Sequence, residues 1–268
     1  MGVTTFADLS RILIEHYKTS NLRSLRSTTF RLKRLDTFFA NYRARDITAD
    51  RVTAYVAERL EEKAANATIN RELAALKRAF KLAHEAKRVA SVPVIRLLPE
   101  DNARQGFIEH ADFIALRDAL PERLRDCVTF LYLSGWRVGE MKALEWRDLD
   151  RDGRAVRLPP AKSKNRKGRV LPLSGELRNV IDRARKQRRL DCPFIFHRHG
   201  RAIKDFRTAW NTACHAVGLG KLLVHDLRRT VVRNLVRAGI SDKVAMDLTG
   251  HKTRSVLTAT TSRLSAIF

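Results

Sequence analysis

Residues 131–146 read LYLSGWRVGEMKALEW, and the rest of the chain is best interpreted outward from them. An apolar helical run ends at Gly135, the residue type that terminates helices most readily. Arg137 follows at once. A second helix is expected to begin near Gly139, with Glu140 in its first turn, where the helix dipole favours a carboxylate. Arg137 would then project from a sharp turn with Glu140 able to hold its guanidinium. Taken alone, the stretch fits a surface arginine beside a helix N-terminus as well as a functional group.

Upstream, helices are expected at about 110–119 and 121–134. Downstream, WRDLDRDGRAVRLPPAKSKNRKGRVLPLS (146–174) reads as a short antiparallel sheet. Asp152-Gly153 is a turn signal, and Val156, Leu158, Val170 and Leu171 are strand-like. AKSKNRKGR forms a basic hairpin tip with Lys164 near its centre. From Ser174 to about Thr249 the pattern is mostly helical. Within it, RARKQRR (183–189) is a basic face of the solvated kind. In HDLRRT (225–230), His225 and Arg228 are three apart and share one helix face, whereas Arg229 points elsewhere. In TGHK (249–252), Gly250 suits a helix C′ position, which puts His251 on the exit turn.

The first hundred residues carry helical stripes: Phe6, Leu9, Ile12, Leu13 and Tyr17; Phe30, Leu32, Leu35, Phe38 and Phe39; Val52, Tyr55, Val56 and Leu60 behind a Thr48 N-cap; and Ile69, Leu73, Leu76, Phe80 and Ala83. The opposite faces hold Arg23, Arg26, Arg31, Lys33, Arg34, Arg71, Lys77, Arg78 and Lys81. So one-sided a charge is expected to meet a DNA backbone, with Arg26, Arg31, Arg34, Arg71, Lys77 and Arg78 as the chief contacts. Pro93, Pro99 and the polar run around them mark a boundary. The chain is divided as a helical domain at 1–97, a linker at 98–106 and a second domain at 107–268. The fold class is mainly α with a small antiparallel β-sheet, an α+β arrangement.

The chain has 268 residues and a formal charge of +24. That excess calls for a polyanion, with double-stranded DNA the leading partner. A basic membrane-surface protein would show a Trp/Phe-rich amphipathic helix, which is missing, and no apolar run reaches membrane-spanning length. The N-terminal stretch has neither a signal-peptide core nor a myristoylation pattern. Cys127, Cys192 and Cys214 are widely spaced and odd in number, which reads as buried thiols of a cytoplasmic, nucleoid-associated protein. There is no Gly-rich phosphate loop, no HExxH pair and no carboxylate cluster of metal-binding kind, so neither a metal nor a cofactor is expected.

The candidate chemistry is cationic. Two arginines can grip the non-bridging oxygens of one phosphodiester and stay charged while doing so. A histidine can hydrogen-bond the same phosphate or move a proton, and a lysine can protonate a leaving oxygen. Such a set stabilises a pentavalent phosphorane without metal. At this point nearly the whole chain resembles the tyrosine recombinase (phage integrase) family. SGWRVGEMKALEW resembles its first arginine box, which implies Arg137 as the first catalytic arginine and Glu140 as its supporting acid. SKNRKGRVLPL resembles the hairpin whose lysine is the general acid, the position of Lys164. HDLRRT resembles the His-x-x-Arg box, implying His225 and Arg228, and TGHKTRSV the last block, implying His251. The N-terminal helices resemble the family's core-binding domain, and the resemblance implies a homotetramer on paired DNA sites.

In that family a tyrosine nine residues after the last-block histidine attacks the phosphate and forms a 3′-phosphotyrosyl link. Here that position is Thr260, and the four tyrosines, Tyr17, Tyr42, Tyr55 and Tyr132, all lie upstream of it. An aliphatic hydroxyl ionises far less readily than a phenol, whose pKa is about 10, and is the poorer leaving group. The family chemistry is therefore expected to stop before strand cleavage. The genetic code offers an origin for the altered tail. Residues 258–262, Thr-Ala-Thr-Thr-Ser, read one base earlier with free third bases, can spell Asp-Arg-Tyr-Asn-Ile. That restores Tyr at register 260 and points to a frameshift after Val256. The alternative is a DNA-binding regulator or architectural protein on the same scaffold that occupies sites without cutting. A general RNA-binding or structural basic protein would not need these five residues in this order.

Overall fold

The computed structural model describes residues 3–100, 106–163, 168–220 and 222–250. The chain divides into two compact units, Met1–Asn102 and Ala103–Phe268. Among the described residues no helix is long and apolar enough to cross a membrane.

Four helices build the first unit: α1 (Phe6–Thr19), α2 (Leu25–Phe39), α3 (Ala49–Glu61) and α4 (Asn66–Glu85). Helix α1 starts at a reciprocal cap. The Asp8 amide donates to Thr5 Oγ1 (3.3 Å), and the Thr5 amide (2.9 Å) and hydroxyl (2.8 Å) both donate to Asp8 Oδ2, holding the Asp8 carboxyl below its ordinary range. Thr48 caps α3 by accepting from the Arg51 amide. Phe6, Leu9, Leu13, Leu32, Leu35, Phe39, Val52, Tyr55 and the whole α4 stripe, Ile69, Leu73, Leu76, Phe80 and Ala83, are buried together.

Two apolar residues depart from the expected stripes. Phe30 is 61% exposed, because the inward line of α2 runs Thr28, Leu32, Leu35, Phe39 and leaves position 30 about 200° away from it. Leu60 is 46% exposed, with Arg59 buried in its stead. Helix α3 is rotated so that Tyr55 and Arg59, one turn apart, both reach Glu72 on α4: Tyr55 Oη donates to Glu72 Oε2 at 2.7 Å, and Arg59 Nε and Nη2 reach the two carboxylate oxygens at 3.0 Å each. Arg59 also pairs with Glu62, which Arg34 meets from α2.

The second unit contains α5 (His110–Ala119), α6 (Glu122–Ser134), α7 (Val138–Lys142), an antiparallel pair β1 (Ala155–Leu158) and β2 (Arg169–Pro172), then α8 (Gly175–Lys186), β3 (His197–Arg198), β4 (Arg201–Ala202), α9 (Arg207–Ala216), α10 (Val224–Arg237) and α11 (Asp242–Thr249). Val156 faces Leu171 across the β1–β2 ladder. Its core gathers Phe113, Leu116, Val128, Phe130, Trp136, Met141, Leu144, Val156, Leu158, Leu171 and Trp210. The short β3–β4 hairpin falls inside the stretch expected to be mostly helical. It turns through His199 and Gly200, both with positive φ, and a two-residue ladder leaves no periodicity to detect. All three cysteines are buried thiols. Burial pushes Cys127 up to about 12 and Cys214 to about 11, which disfavours the reactive thiolate at both.

Candidate functional site

The site is assembled where α6 ends. Gly135 closes α6 in the left-handed region (φ +64°), and a Cβ there would come within 3.2 Å of Val231 on α10 and Thr249 on α11. Glycine thus serves both the turn and the close approach of three helices. Its carbonyl accepts from Arg228 Nη1 at 2.7 Å. Two residues on, Arg137 is the N-cap of α7. Its amide donates to Glu140 Oε2 (3.0 Å) and its Nη1 to Glu140 Oε1 (2.8 Å), so a single carboxylate fixes both the backbone and the side chain of the arginine. Arg137 Nη2 reaches the carbonyl of Gly250, which ends α11 with φ +72°.

A third guanidinium, outside the residues that the motifs single out, belongs to the cluster. Arg169, at the start of β2, pairs with Glu140 Oε2, donates to the Thr249 carbonyl and lies 5.1 Å over the Trp136 ring. Strand alternation could have found it. Val170, expected to be strand-like, is 50% exposed, so the inward face holds positions 169 and 171.

The electrostatics follow from this crowding. Burial raises the Glu140 carboxyl, but its bonds to Arg137 and the charges of Arg169 and Arg137 win, and it stays below its ordinary range. Arg228, 3% exposed, is brought down to about 9, first by burial and then by Arg137 and Arg169, with Glu140 pulling the other way. It remains cationic at neutral pH, but at a cost that an anion would relieve. His225, in the first turn of α10, keeps contact with solvent. The protein around its imidazole nonetheless strips hydration from the charged form, and Arg228, Arg229 and Arg137 lower it further against Asp226. Asp226 itself is buried and accepts the Leu223 amide, fixing the start of α10.

Of the expected site residues, the structure brings Arg137, Glu140, His225 and Arg228 into one neighbourhood. Lys164, His251 and Thr260 lie outside the described residues. Lys162, just ahead of the expected lysine, is committed to Asp148 (2.6 Å) and Glu145 (3.0 Å). In the first unit Arg26, Arg31 and Lys77 make no ion pair among the described residues. Arg34 pairs with Glu62, Arg71 bonds the Ala67 carbonyl and Arg78 meets His16 Nε2 at 3.2 Å. No group of metal-ligating residues occurs among the described residues.

The family model of the phage integrase family matches residues 105–260. A tyrosine recombinase XerC of Roseiflexus sp. (strain RS-1) is 30% identical over 228 residues, covering 77% of this chain and 72% of the relative. The integrase of Salmonella phage P22 is 26% identical over 180 residues, 62% of this chain and 46% of that one. Among solved structures, a lambda integrase tetramer bound to a Holliday junction superposes with a TM-score of 0.78 at 19% identity, covering 97% of this chain and 78% of that one. The Tn1549 transposon integrase in complex with transposon right end DNA gives 0.80 at 15% identity, covering 94% of both chains.

Proposed function

The chain belongs to the phage integrase family of tyrosine recombinases, and from that premise we propose that it binds recombination sites in duplex DNA, holds one phosphodiester per protomer between Arg137 and Arg228, and does not cleave it. The observation that carries the reading is a convergence of cations: Arg137 and Arg169 both pair with the Glu140 carboxylate, and Arg228 lies close enough for both to repel it. A buried site with excess cation is matched to an anion, and the fork of an arginine fits two phosphate oxygens. His225, below its ordinary pKa, is poised to gain a proton as a phosphate approaches. Lys164 as general acid and His251 as a further phosphate ligand complete the proposed set.

The basic residues of the first unit, Arg26, Arg31, Arg34, Arg71, Lys77 and Arg78, supply backbone contacts in this reading. The tetramer of the lambda integrase on a Holliday junction supports a homotetramer on paired sites. Thr260 at the nucleophile register favours the second reading as well, a non-cleaving regulator or architectural protein on a recombinase scaffold.

The experiment is a denaturing-gel shift of labelled, nicked suicide DNA with three proteins: the chain itself, Thr260→Tyr, and a chain whose residues from 257 on are replaced by the frame-restored sequence. Only the last should form a covalent band. Attack needs the oxygen about 3 Å from phosphorus and in line with the leaving group, and a Thr/Ser-rich segment is a poor helix to carry it there. A covalent band from the unaltered chain overturns the loss of cleavage. DNA binding nearly independent of salt overturns the nucleic-acid reading altogether.

A further inference from the structure

Arg169 lies outside the set of residues proposed to touch phosphate, yet the site is built around it. Its side chain is 8% exposed, so it is not a surface contact for DNA. One end of its guanidinium shares Glu140 with Arg137, and the other holds the Thr249 carbonyl. The next carbonyl, Gly250, is the one that accepts from Arg137 Nη2. Two arginines therefore sit side by side on the C-terminus of α11, where the helix dipole favours cations. Gly250 is shaped to allow this: its φ is +72°, and a Cβ there would lie 2.1 Å from Arg169 Nη1 and 2.7 Å from Cζ. Trp136, between the Gly135 that binds Arg228 and Arg137 itself, forms the floor beneath the guanidinium.

A cation serving only to pack β2 against α7 would be badly placed here. It repels Arg137 and Arg228 across a small distance, and burial already disfavours its charge. An apolar side chain would fill the same volume without that repulsion. What an apolar residue could not do is hold Glu140 and the end of α11 at once.

We infer that Arg169 is a positioning residue: by bridging Glu140 and the Thr249 carbonyl, it fixes Arg137 and the α11 terminus in the geometry that receives a phosphodiester. The inference rests on the reading of Arg137 and Arg228 as phosphate ligands.

The test uses the full chain and a duplex that it enriches from a random pool, with each backbone phosphate replaced in turn by an uncharged methylphosphonate. The unaltered protein should lose most affinity at one phosphate per bound protomer, and Arg137→Ala and Arg228→Ala should erase that maximum. A profile with no such maximum, or one that both alanine variants leave untouched, overturns the phosphate reading and this inference with it. Given the maximum, Arg169→Met should reduce it about tenfold while leaving the flanking positions and the thermal midpoint near those of the unaltered protein. Arg169→Lys, which keeps the charge but reaches one acceptor at a time, should fall between the two, and it decides the matter if Arg169→Met does not fold. Combining Arg169→Met with Glu140→Gln should add little to the larger single effect, since both act through one carboxylate. An unchanged maximum in the Arg169 variants overturns the inference. So does a loss spread evenly over all phosphates, the mark of a purely structural part.

Discussion

Two arginine clusters, one in each unit and each with a buried arginine at its centre, are built to opposite specifications. In the first unit Arg34 and Arg59 meet Glu62 and Glu72, with the Tyr55 hydroxyl donating to Glu72. Charges match, and both Glu72 oxygens accept bonds. Burial and the neighbouring carboxylate push the Tyr55 phenol well above its ordinary value, which keeps it a neutral donor. In the second unit Arg137 and Arg169 share one carboxylate, and Arg228 is depressed to about 9 by burial first and by those two cations second. The first cluster is complete in itself. In the function proposed above, the second is where a phosphate binds. If that proposal holds, the balance of charge around an arginine separates one that holds a fold from one that receives a substrate.

The comparison breaks most sharply at Arg59. Arg59→Met leaves the Glu72 carboxylate buried without its cation, which should cost about 3–5 kcal/mol. Hydrogen exchange in the full chain should show α3 and α4 losing protection together. The double variant Arg59→Met/Glu72→Leu should recover much of that loss, because the unpaired charge is gone. A single variant with unchanged protection would mean that the first cluster is not structural.

Arg228→Met should do the reverse. The free protein loses the bond to the Gly135 carbonyl but also a desolvated cation beside two others, so its thermal midpoint should change little. DNA affinity should drop by roughly 1.5–3 kcal/mol for each charged hydrogen bond to phosphate that is lost. The added stability that DNA gives the second unit should shrink in step. If Arg228→Met unfolds the unit while DNA binding persists, Arg228 belongs with Arg59.

How much of this could be read from the sequence depends on how local each determinant is. The Thr48 cap, the stop at Gly135 and the Arg137–Glu140 turn are set within three or four residues and were legible as spacing. The rotation of α3 was not. It is decided by bonds from Tyr55 and Arg59 to a carboxylate seventeen and thirteen residues away, which outweigh the exposure of Leu60. Arg169 was hidden for a related reason: its partners, Glu140 and Thr249, lie twenty-nine and eighty residues off, and in the sequence it is one more cation in a basic hairpin. Only the alternation of a four-residue strand hinted that it faces inward.

A weaker test concerns pH. His225 lies below its ordinary value in the folded protein, so in the window between the two values the unfolded chain binds more protons. Its contribution to stability is complete above an unfolded pKa of about 6.5 and declines as pH falls through the window. Glu140, also lowered, acts in the same direction, its contribution being lost at more acidic pH as the folded value is crossed. DNA should act oppositely on His225, because an adjacent phosphate favours the imidazolium. Ring titration by NMR should give a low value in the free protein and a higher one on DNA. A value unmoved by DNA would remove His225 from the phosphate site.

The smallest effect sharpens the comparison at the protein surface, where charges are only partly committed. Arg26 is exposed and makes no ion pair among the described residues, while Arg34 is already held by Glu62. If both touch phosphates, Arg26→Ala should reduce the slope of log affinity against log salt by about one. Arg34→Ala should reduce it by less, since Arg34 has to exchange Glu62 for the phosphate and the exposed pair is worth little either way. Glu62→Gln should then strengthen binding slightly, by releasing Arg34, although it also takes one of the two partners of Arg59. The measurement is a salt series on one duplex for the three variants. Equal slopes for Arg26→Ala and Arg34→Ala would show that pairing in the free protein does not decide which arginines reach DNA, and the charge-matching argument would hold only for Arg59 and Glu72 at the buried centre of the first cluster.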